Sequence, residues 1–263
     1  MRLKISHRTE YAYDGPVAYA LQRVKLVPRN CATQTVHTWS LWASGARQEV
    51  QYADHFENAT CLVCAEDGES TIVIEAGGTV ETFDKAGVVG KHSGFVPLWL
   101  YARHTALTEA GEGLRALAAA SPAGSDLDRL HGMMDALADL VAYVPGATDA
   151  STTAEAALAK KQGVCQDHAH IFTAAARLMG FPARYVSGYL MLDTAEQAAS
   201  HAWAEVHVPN LGWVGFDAAN RMSPDERYVR LAVGRDYRDA MPVFGIRRGT
   251  ATERLAVSVT VEQ

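Results

Sequence analysis

Alternating apolar and polar positions dominate the first third of the chain. The alternation starts at Leu3, and turn sequences such as Asp14-Gly15-Pro16 and Asp67-Gly68 interrupt it. A period of two, rich in β-branched and aromatic residues, predicts strands, and short strands at this spacing are typical of an antiparallel β-sandwich. We therefore expect an N-terminal β-domain over residues 1–90. After the first strand, its extended segments are predicted at 20–27, 35–43, 49–56, 60–65 and 71–83.

A helical spacing replaces the alternation after an apolar connection, residues 91–106. Apolar residues then recur every three or four positions, which predicts amphipathic helices. Beyond Pro182 the pattern alternates again, so residues 91–263 are predicted to form a second domain with helices first and strands after, an α+β arrangement. Its helices are expected at 109–120, 126–143 and 153–160, and its strands at 183–192, 201–208, 212–217 and 255–261. The last strand is free to return to either domain.

Composition narrows the class of protein. Of 263 residues, 48% are hydrophobic and 21% are charged, which is typical of a folded globular chain. A formal net charge of -6 without a Lys/Arg stripe argues against nucleic acid as a partner. Charged residues follow Met1 at once and no apolar run reaches membrane-spanning length, so we expect no membrane segment and a cytoplasmic location. Four cysteines in a chain of this length are expected to be thiols.

Cys165 lies at the start of a predicted buried helix. Apolar residues continue from Ile171 to Met179, and Gly180-Phe181-Pro182 ends the run. In a first helical turn, unpaired backbone N–H groups and the positive end of the helix dipole favour a thiolate. A lone cysteine in a buried helix is more often inert packing, so a nucleophile needs a base and a group that orients the base.

A downstream hairpin supplies both groups. His201, Trp203 and Glu205 share one face of a predicted strand, and Pro209-Asn210 turns the chain towards Asp217. A hairpin centred on Pro209 would place His201 opposite Asp217, with Cβ atoms about 4.5–5.5 Å apart. It would also place Trp203 opposite Gly215. A slip of one residue would turn Asp217 to the other face.

This geometry predicts thiol chemistry. His201 takes the thiol proton, Cys165 attacks an amide carbon, and Asp217 fixes the imidazole tautomer. The oxyanion would meet the backbone N–H of Cys165 and one further donor that the sequence does not identify. Attack of water or of an amine on the resulting thioester decides between a hydrolase and a transferase, and the triad residues leave that choice open.

Several ordered motifs together resemble the transglutaminase-like cysteine enzymes of bacteria. They are Gly163-Val164-Cys165-Gln166-Asp167, Ala183-Arg184-Tyr185-Val186-Ser187-Gly188-Tyr189, Ser200-His201-Ala202-Trp203 and Gly212-Trp213-Val214-Gly215-Phe216-Asp217, with further similarity through 225–237. Residues 2–28 are similar to the β-domain that precedes the core in these proteins. The resemblance implies a papain-like core with Cys165, His201 and Asp217 as the triad. It also implies a protease or amidase activity, with protein cross-linking in some relatives.

Two departures from that pattern concern the surroundings of the triad. Ala218-Ala219 precedes Asn220 where the family has a proline and often a threonine, and His168 stands where a larger aromatic residue is usual. No acidic loop resembles a calcium site, and His168 and His170 do not share a helix face, so we expect neither a metal nor a cofactor. The Cys61 and Cys64 pair is expected to point to opposite faces of a strand.

The remaining site candidates are polar or aromatic residues near the motifs. A contact with substrate or with the oxyanion is considered for Gln166, His168, Tyr189, Trp203 and Trp213, although the aromatic residues fit a core equally well. The charged stretch with Arg227, Arg230, Arg235 and Asp236 is expected to be solvated.

The sequence therefore predicts a cysteine-dependent acyl-transfer enzyme that acts on amides of a peptide or protein. The competing hypothesis is a non-catalytic binding module that keeps the fold and docks a partner through the β-domain. Retention of all three triad residues favours the enzyme.

Overall fold

The computed structural model describes residues 1–17, 19–192 and 200–263, together with the backbone of 196–197. Strands form where the alternation predicts them, and a short seventh strand follows. The strands of this region are β1 (Arg2–Tyr13), β2 (Tyr19–Val27), β3 (Gln34–Ser44), β4 (Ala46–Ala53), β5 (Ala59–Ala65), β6 (Thr71–Thr82) and β7 (Val88–Gly90).

The helical region contains five helices and two very short strands among the described residues. They are α1 (Leu98–Tyr101), α2 (Glu112–Ala119), α3 (Asp126–Leu140), β8 (Ala142–Tyr143), α4 (Ala154–Lys160), β9 (Gln162–Gly163) and α5 (Cys165–Leu178). The chain then returns mainly to strands, which are β10 (Ala183–Leu190), β11 (Glu196–Gln197), β12 (His201–Val208), β13 (Gly212–Phe216), β14 (Tyr228–Gly234), β15 (Val243–Arg248) and β16 (Glu253–Glu262), with α6 (Tyr237–Ala240) before β15.

Two antiparallel sheets share one hydrophobic core. One has the strand order β11-β16-β1-β6-β3 and the other has the order β15-β2-β5-β4. Leu3, Val24, Val63 and Ile74, which come from both sheets, belong to the same buried cluster. The C-terminal strands complete this region, since β16 pairs with β1 and β15 pairs with β2.

A third antiparallel sheet, with the order β14-β10-β12-β13-β7, carries the candidate site. Helix α5 packs on it, because Ile171 and Phe172 share a buried cluster with Ala204 and Val206 of β12. The short strand β7 joins this sheet through β13. The chain thus combines antiparallel sheets with helices, the α+β arrangement that its sequence predicts.

The hairpin register predicted from the sequence is wrong by two residues. Glu205 pairs with Gly215 and Ala204 with Phe216, so His201 does not lie opposite Asp217. The reason is a longer turn, in which Asn210 and Gly212 adopt positive φ angles of 69° and 83°. A shift of two residues preserves the face of each side chain, and Asp217 can still approach His201.

Two further expectations fail for identifiable reasons. Helix α3 ends at Leu140 rather than at Tyr143, because the β-branched Val141 adopts an extended backbone with φ of -119° and ψ of 111°.

The charged stretch is not simply solvated, since Tyr228–Gly234 forms β14 and Asp236 is buried. Arg230 enters this sheet because a buried carboxylate, that of Glu205, pairs with it.

Candidate active site

The beginning of helix α5 positions Cys165. The Asp167 carboxylate turns back and accepts hydrogen bonds from the Val164 N–H at 2.8 Å and from the Thr148 hydroxyl at 2.6 Å. These bonds fix the first turn of the helix. Position 163 requires a glycine, because a Cβ there would lie only 2.7 Å from the Asp167 side chain. Cys165 is partly buried and lines a cavity, so its sulfur is accessible at the helix N-terminus.

His201, the first residue of β12, contacts an acidic partner through one ring nitrogen. Its Nε2 lies 2.6 Å from Oδ2 of Asp217, and Cys165 lines the same cavity as His201. Burial alone would lower the pKa of His201, but the bonds to Asp217 and Cys165 raise it to about 10. The imidazole is therefore held in its charged form beside the thiol, as an ion pair with a thiolate requires.

Asp217 is a buried carboxylate with several donors. Besides His201, it accepts hydrogen bonds from the Tyr228 hydroxyl at 2.8 Å, the Asn220 side-chain amide at 2.7 Å and the Ala219 N–H at 3.1 Å. Burial opposes ionisation, yet the bonds and charge of His201, with those from Asn220 and Tyr228, keep the pKa of Asp217 below its usual value. The carboxylate is thus ionised and fixed in orientation.

Aromatic rings fix the plane of the imidazole. The Trp203 ring stacks on His201 with centroids 6.2 Å apart and an interplanar angle of 26°. Tyr228 contacts His201 at 5.9 Å and Trp203 at 5.4 Å. Trp203 is 3% exposed, so it packs against the imidazole from within the sheet.

A buried ion triad lies on the same sheet. Arg184 and Arg230 both bind the carboxylate of Glu205, with nitrogen–oxygen distances of 2.6 Å and 3.0 Å. The Arg184 guanidinium also lies 3.9 Å from the ring centroid of Trp213. This arrangement neutralises a carboxylate that is fully buried, and it cross-links β10, β12 and β14.

The cavity at Cys165 has a volume of about 790 Å³. Within the described ranges, none of its lining residues is Asp, Glu, Lys or Arg, so apart from His201 the wall offers uncharged polar and apolar contacts around the thiol. The lining residues are Tyr143, Pro145, Gly146, Val164, Cys165, Gln166, Tyr185, Ser187, Leu190, Leu192, Ser200, His201, Ala202, Ala219, Asn220 and Tyr237.

The structure brings together only some of the residues that the sequence singles out. Gln166 lines the cavity with Cys165 and His201. His168 is buried, and its ring nitrogens contact the carbonyl oxygens of Val164 at 2.9 Å and Val141 at 3.0 Å. Tyr189 is fully buried, with its hydroxyl 2.9 Å from His7 Nδ1. The indole N–H of Trp213 donates to His92.

Three residues that complete the site were not identified from the sequence as site residues. Tyr143 lies on β8, although the sequence predicts that the helix continues to residue 143. Tyr228 begins β14 within a stretch rich in charged residues. Asn220 follows the motif that ends at Asp217. For Asn220 a signal was available, because an Asp at a strand end commonly accepts from the backbone two residues on, as Asp217 does from Ala219, and such a turn brings the next residue back beside the carboxylate.

A cysteine at the N-terminus of a buried helix, beside a His–Asp pair on an antiparallel sheet, defines a papain-like core. Residues 115–218 match the family described as the transglutaminase-like superfamily. Residues 3–81 match the bacterial transglutaminase-like N-terminal region. Two successive parts of the chain thus match the bacterial transglutaminase-like N-terminal region and the transglutaminase-like superfamily.

Relatives of similar length align with nearly the whole chain. An uncharacterized protein of Mycobacterium leprae is 26% identical over 280 aligned positions, which cover 99% of this chain and 98% of the relative. An uncharacterized protein of Mycobacterium tuberculosis is 28% identical over 290 positions, covering 99% and 92%. A crystal structure of a candidate cysteine protease from Cytophaga hutchinsonii, 21% identical, superposes with a TM-score of 0.79 over 100% of this chain and 91% of that one. This likeness concerns the fold. None of the described helices is long and apolar enough to cross a membrane.

Proposed function

We propose that this protein is a cysteine-dependent acyl-transfer enzyme that attacks peptide or glutamine-type amides through a thioester. The observation that carries the proposal is the 2.6 Å contact between His201 Nε2 and Asp217 Oδ2, with the imidazole and Cys165 together in the wall of one cavity. Cys165 is the nucleophile, His201 the general base and acid, and Asp217 the residue that orients and charges the imidazole.

The reaction begins with the thiolate of Cys165 and the imidazolium of His201. The sulfur forms a bond to the amide carbon, and the π electron pair of the carbonyl moves onto its oxygen. When the intermediate collapses, the carbon–nitrogen bond breaks and His201 gives its proton to the leaving nitrogen. Water or a primary amine, deprotonated by the now neutral His201, attacks the thioester and releases the thiol.

The cavity supports an uncharged acyl group as the substrate part that reaches Cys165. Its described wall carries no ionised side chain apart from the proposed reacting groups. A glutamine side chain or a backbone amide meets this condition, and both hydrolysis and transamidation are compatible with it. We propose the cytoplasm as the location, because a reducing compartment keeps cysteines as thiols and all four cysteines are free in the structure.

Acylation by p-nitrophenyl acetate tests the thioester directly. We expect a burst of p-nitrophenolate with one acetyl group on the Cys165 peptide, located by mass spectrometry. Cys165→Ala should abolish the burst, and His201→Ala should slow it strongly while the fold is retained. Cys64→Ala is the matched control, because it removes a partly exposed thiol of the β5 strand. A burst that survives Cys165→Ala would contradict the proposal.

A glutamine peptide incubated with a primary amine separates the two activities. Mass spectrometry should show an amine adduct for a transamidase, and a cleaved or deamidated product for a hydrolase. If neither product forms and the acetyl burst is also absent, the non-catalytic binding module becomes the better account.

A further inference from the structure

We propose that Tyr143 is the second oxyanion donor of this site. Its phenolic O–H, together with the backbone N–H of Cys165, binds the carbonyl oxygen of the substrate as negative charge develops on it. This inference rests on the proposed function, and it assigns a catalytic role to a residue outside the Cys–His–Asp set.

The backbone holds Tyr143 next to the nucleophile. Strand β8 pairs in parallel with β9, and Tyr143 lies opposite Gly163, two residues before Cys165. The Ala142 N–H donates to Lys161 O at 3.0 Å, and the Val144 N–H donates to Gly163 O at 2.8 Å. The two bonds flank Tyr143, so its Cα position is fixed relative to the first turn of α5.

A second contact orients the ring. Tyr143 stacks on His168, which is one helical turn after Cys165, with centroids 6.3 Å apart and an interplanar angle of 27°. His168 is itself immobilised between the carbonyl oxygens of Val164 and Val141. The phenol therefore extends along the start of α5 towards the cavity, which it lines beside Cys165 and Gln166.

The hydroxyl meets two groups of Cys165 in the free protein. It lies beside Cys165 in the lining of the cavity, close enough for the thiol and the backbone N–H of Cys165 both to influence it. Partial burial of the side chain and the neighbouring Cys165 raise the pKa of Tyr143 to about 12. The hydroxyl is thus protonated at neutral pH and available as a donor. A group that faces both the nucleophile and its N–H lies where the oxyanion of an attacked carbonyl must lie.

The side chain has room to adjust when a substrate enters. Tyr143 is 53% exposed, so the hydroxyl can move aside from the Cys165 N–H as the carbonyl oxygen takes that position. The sulfur–carbon bond then forms and the electron pair moves to oxygen. Tyr143 shares its proton with this oxygen in a hydrogen bond without transferring it, and the bond strengthens in the transition state.

Tyr143→Phe in the full chain tests the inference with two reagents. Acylation by p-nitrophenyl acetate passes through an oxyanion, whereas alkylation of Cys165 by iodoacetamide is a displacement at a saturated carbon and does not. We expect the saturating acylation rate to fall by roughly 10²–10³-fold with little change in KM. Alkylation should change at most several-fold, which corresponds to one neutral hydrogen bond.

Tyr52→Phe is the matched control, since it removes a partly exposed phenol hydroxyl from β4. It should leave both rates unchanged. Phe keeps the ring contact with His168, so thermal unfolding of Tyr143→Phe should match the wild type. Equal losses in acylation and alkylation would mean that Tyr143 acts on the thiolate, which would overturn the inference.

The outcomes separate this inference from the proposed function. Faster acylation in Tyr143→Phe would mean that the hydroxyl blocks the site, and unchanged acylation would mean that it has no part in the reaction. Either result overturns the role of Tyr143. A wild-type burst on Cys165 would still support the proposed enzyme activity. A wild-type protein without a Cys165-dependent burst overturns both.

Discussion

The Tyr228 hydroxyl donates to Oδ2 of Asp217 at 2.8 Å, and the same oxygen meets His201 Nε2 at 2.6 Å. Tyr228 comes from β14 and His201 from β12, with β10 between them in the sheet. One carboxylate oxygen therefore joins two strands that do not pair with each other. The position of the imidazole depends on this link as much as on its own strand.

Removal of the Tyr228 hydroxyl should weaken both stability and acylation. In Tyr228→Phe, a buried carboxylate loses a charge-assisted hydrogen bond, so we expect the free energy of unfolding to fall by about 1.5–3 kcal/mol. Acylation should slow because Asp217 orients His201 less well. Urea unfolding and the p-nitrophenyl acetate burst measure the two effects. Tyr19→Phe, on a partly exposed phenol of β2, should change neither quantity.

The His201 imidazole should titrate far above its ordinary range. Its pKa is raised from 6.5 to about 10, so the His201–Asp217 pair contributes its full stability below pH 6.5 and loses it as pH rises through about 10. NMR titration of the imidazole should give a midpoint near 10 in the wild type and a lower one in Asp217→Asn. His7, whose pKa burial lowers to about 4, serves as the internal control. An unchanged His201 midpoint in Asp217→Asn would contradict the ion pair.

Cys165 should react faster with iodoacetamide than the buried Cys61. Burial raises the pKa of the Cys61 thiol, whereas Cys165 lines the cavity beside a protonated imidazole. We expect a rate difference of roughly tenfold or more at neutral pH, lost in His201→Ala. Peptide mass spectrometry locates the modified cysteine. If the two cysteines react equally in the wild type, the pairing of Cys165 with His201 does not exist in solution.

Neutralising Glu205 should destabilise the fold. Glu205→Gln leaves the Arg184 and Arg230 charges buried without their counter-charge, and breaking such a pair typically costs about 3–5 kcal/mol. Chemical denaturation of the full chain measures this loss. Glu75→Gln is the matched control, because the Arg8–Glu75 pair lies at the surface. A loss of unfolding free energy as small as that of Glu75→Gln would mean that solvent reaches the ion triad of Arg184, Glu205 and Arg230.

Local periodicity was enough to predict most elements of the fold. Strands β1 and β2 and helix α5 follow their patterns because each presents one regular apolar face or a continuous buried run. The triad candidates followed from helix position and strand alternation. The hairpin register did not, because it depends on the left-handed conformations of Asn210 and Gly212 in the turn. No apolar pattern encodes the length of such a turn.

Long-range pairing explains what the sequence could not predict. Arg230 looked like a surface charge until β14 brought it to Glu205, a partner 25 residues away. Tyr143 was predicted to end a helix, and only its pairing with Gly163 brings it to Cys165. Trp213 fitted a groove wall or a core equally well, and the Arg184 guanidinium that covers it decides for the core. In each case the deciding neighbour is distant along the chain.

The pairing of β1 with β16 sets an order of events for a growing chain. Lys4 lies opposite Glu262, so this contact closes a loop of nearly the whole chain, which is entropically unfavourable early in folding. Strands β10, β12, β13 and β14 all emerge from the ribosome before β15 and β16. The sheet that carries His201 can therefore form while β1 still lacks one neighbour, and the N-terminal sheets are completed last.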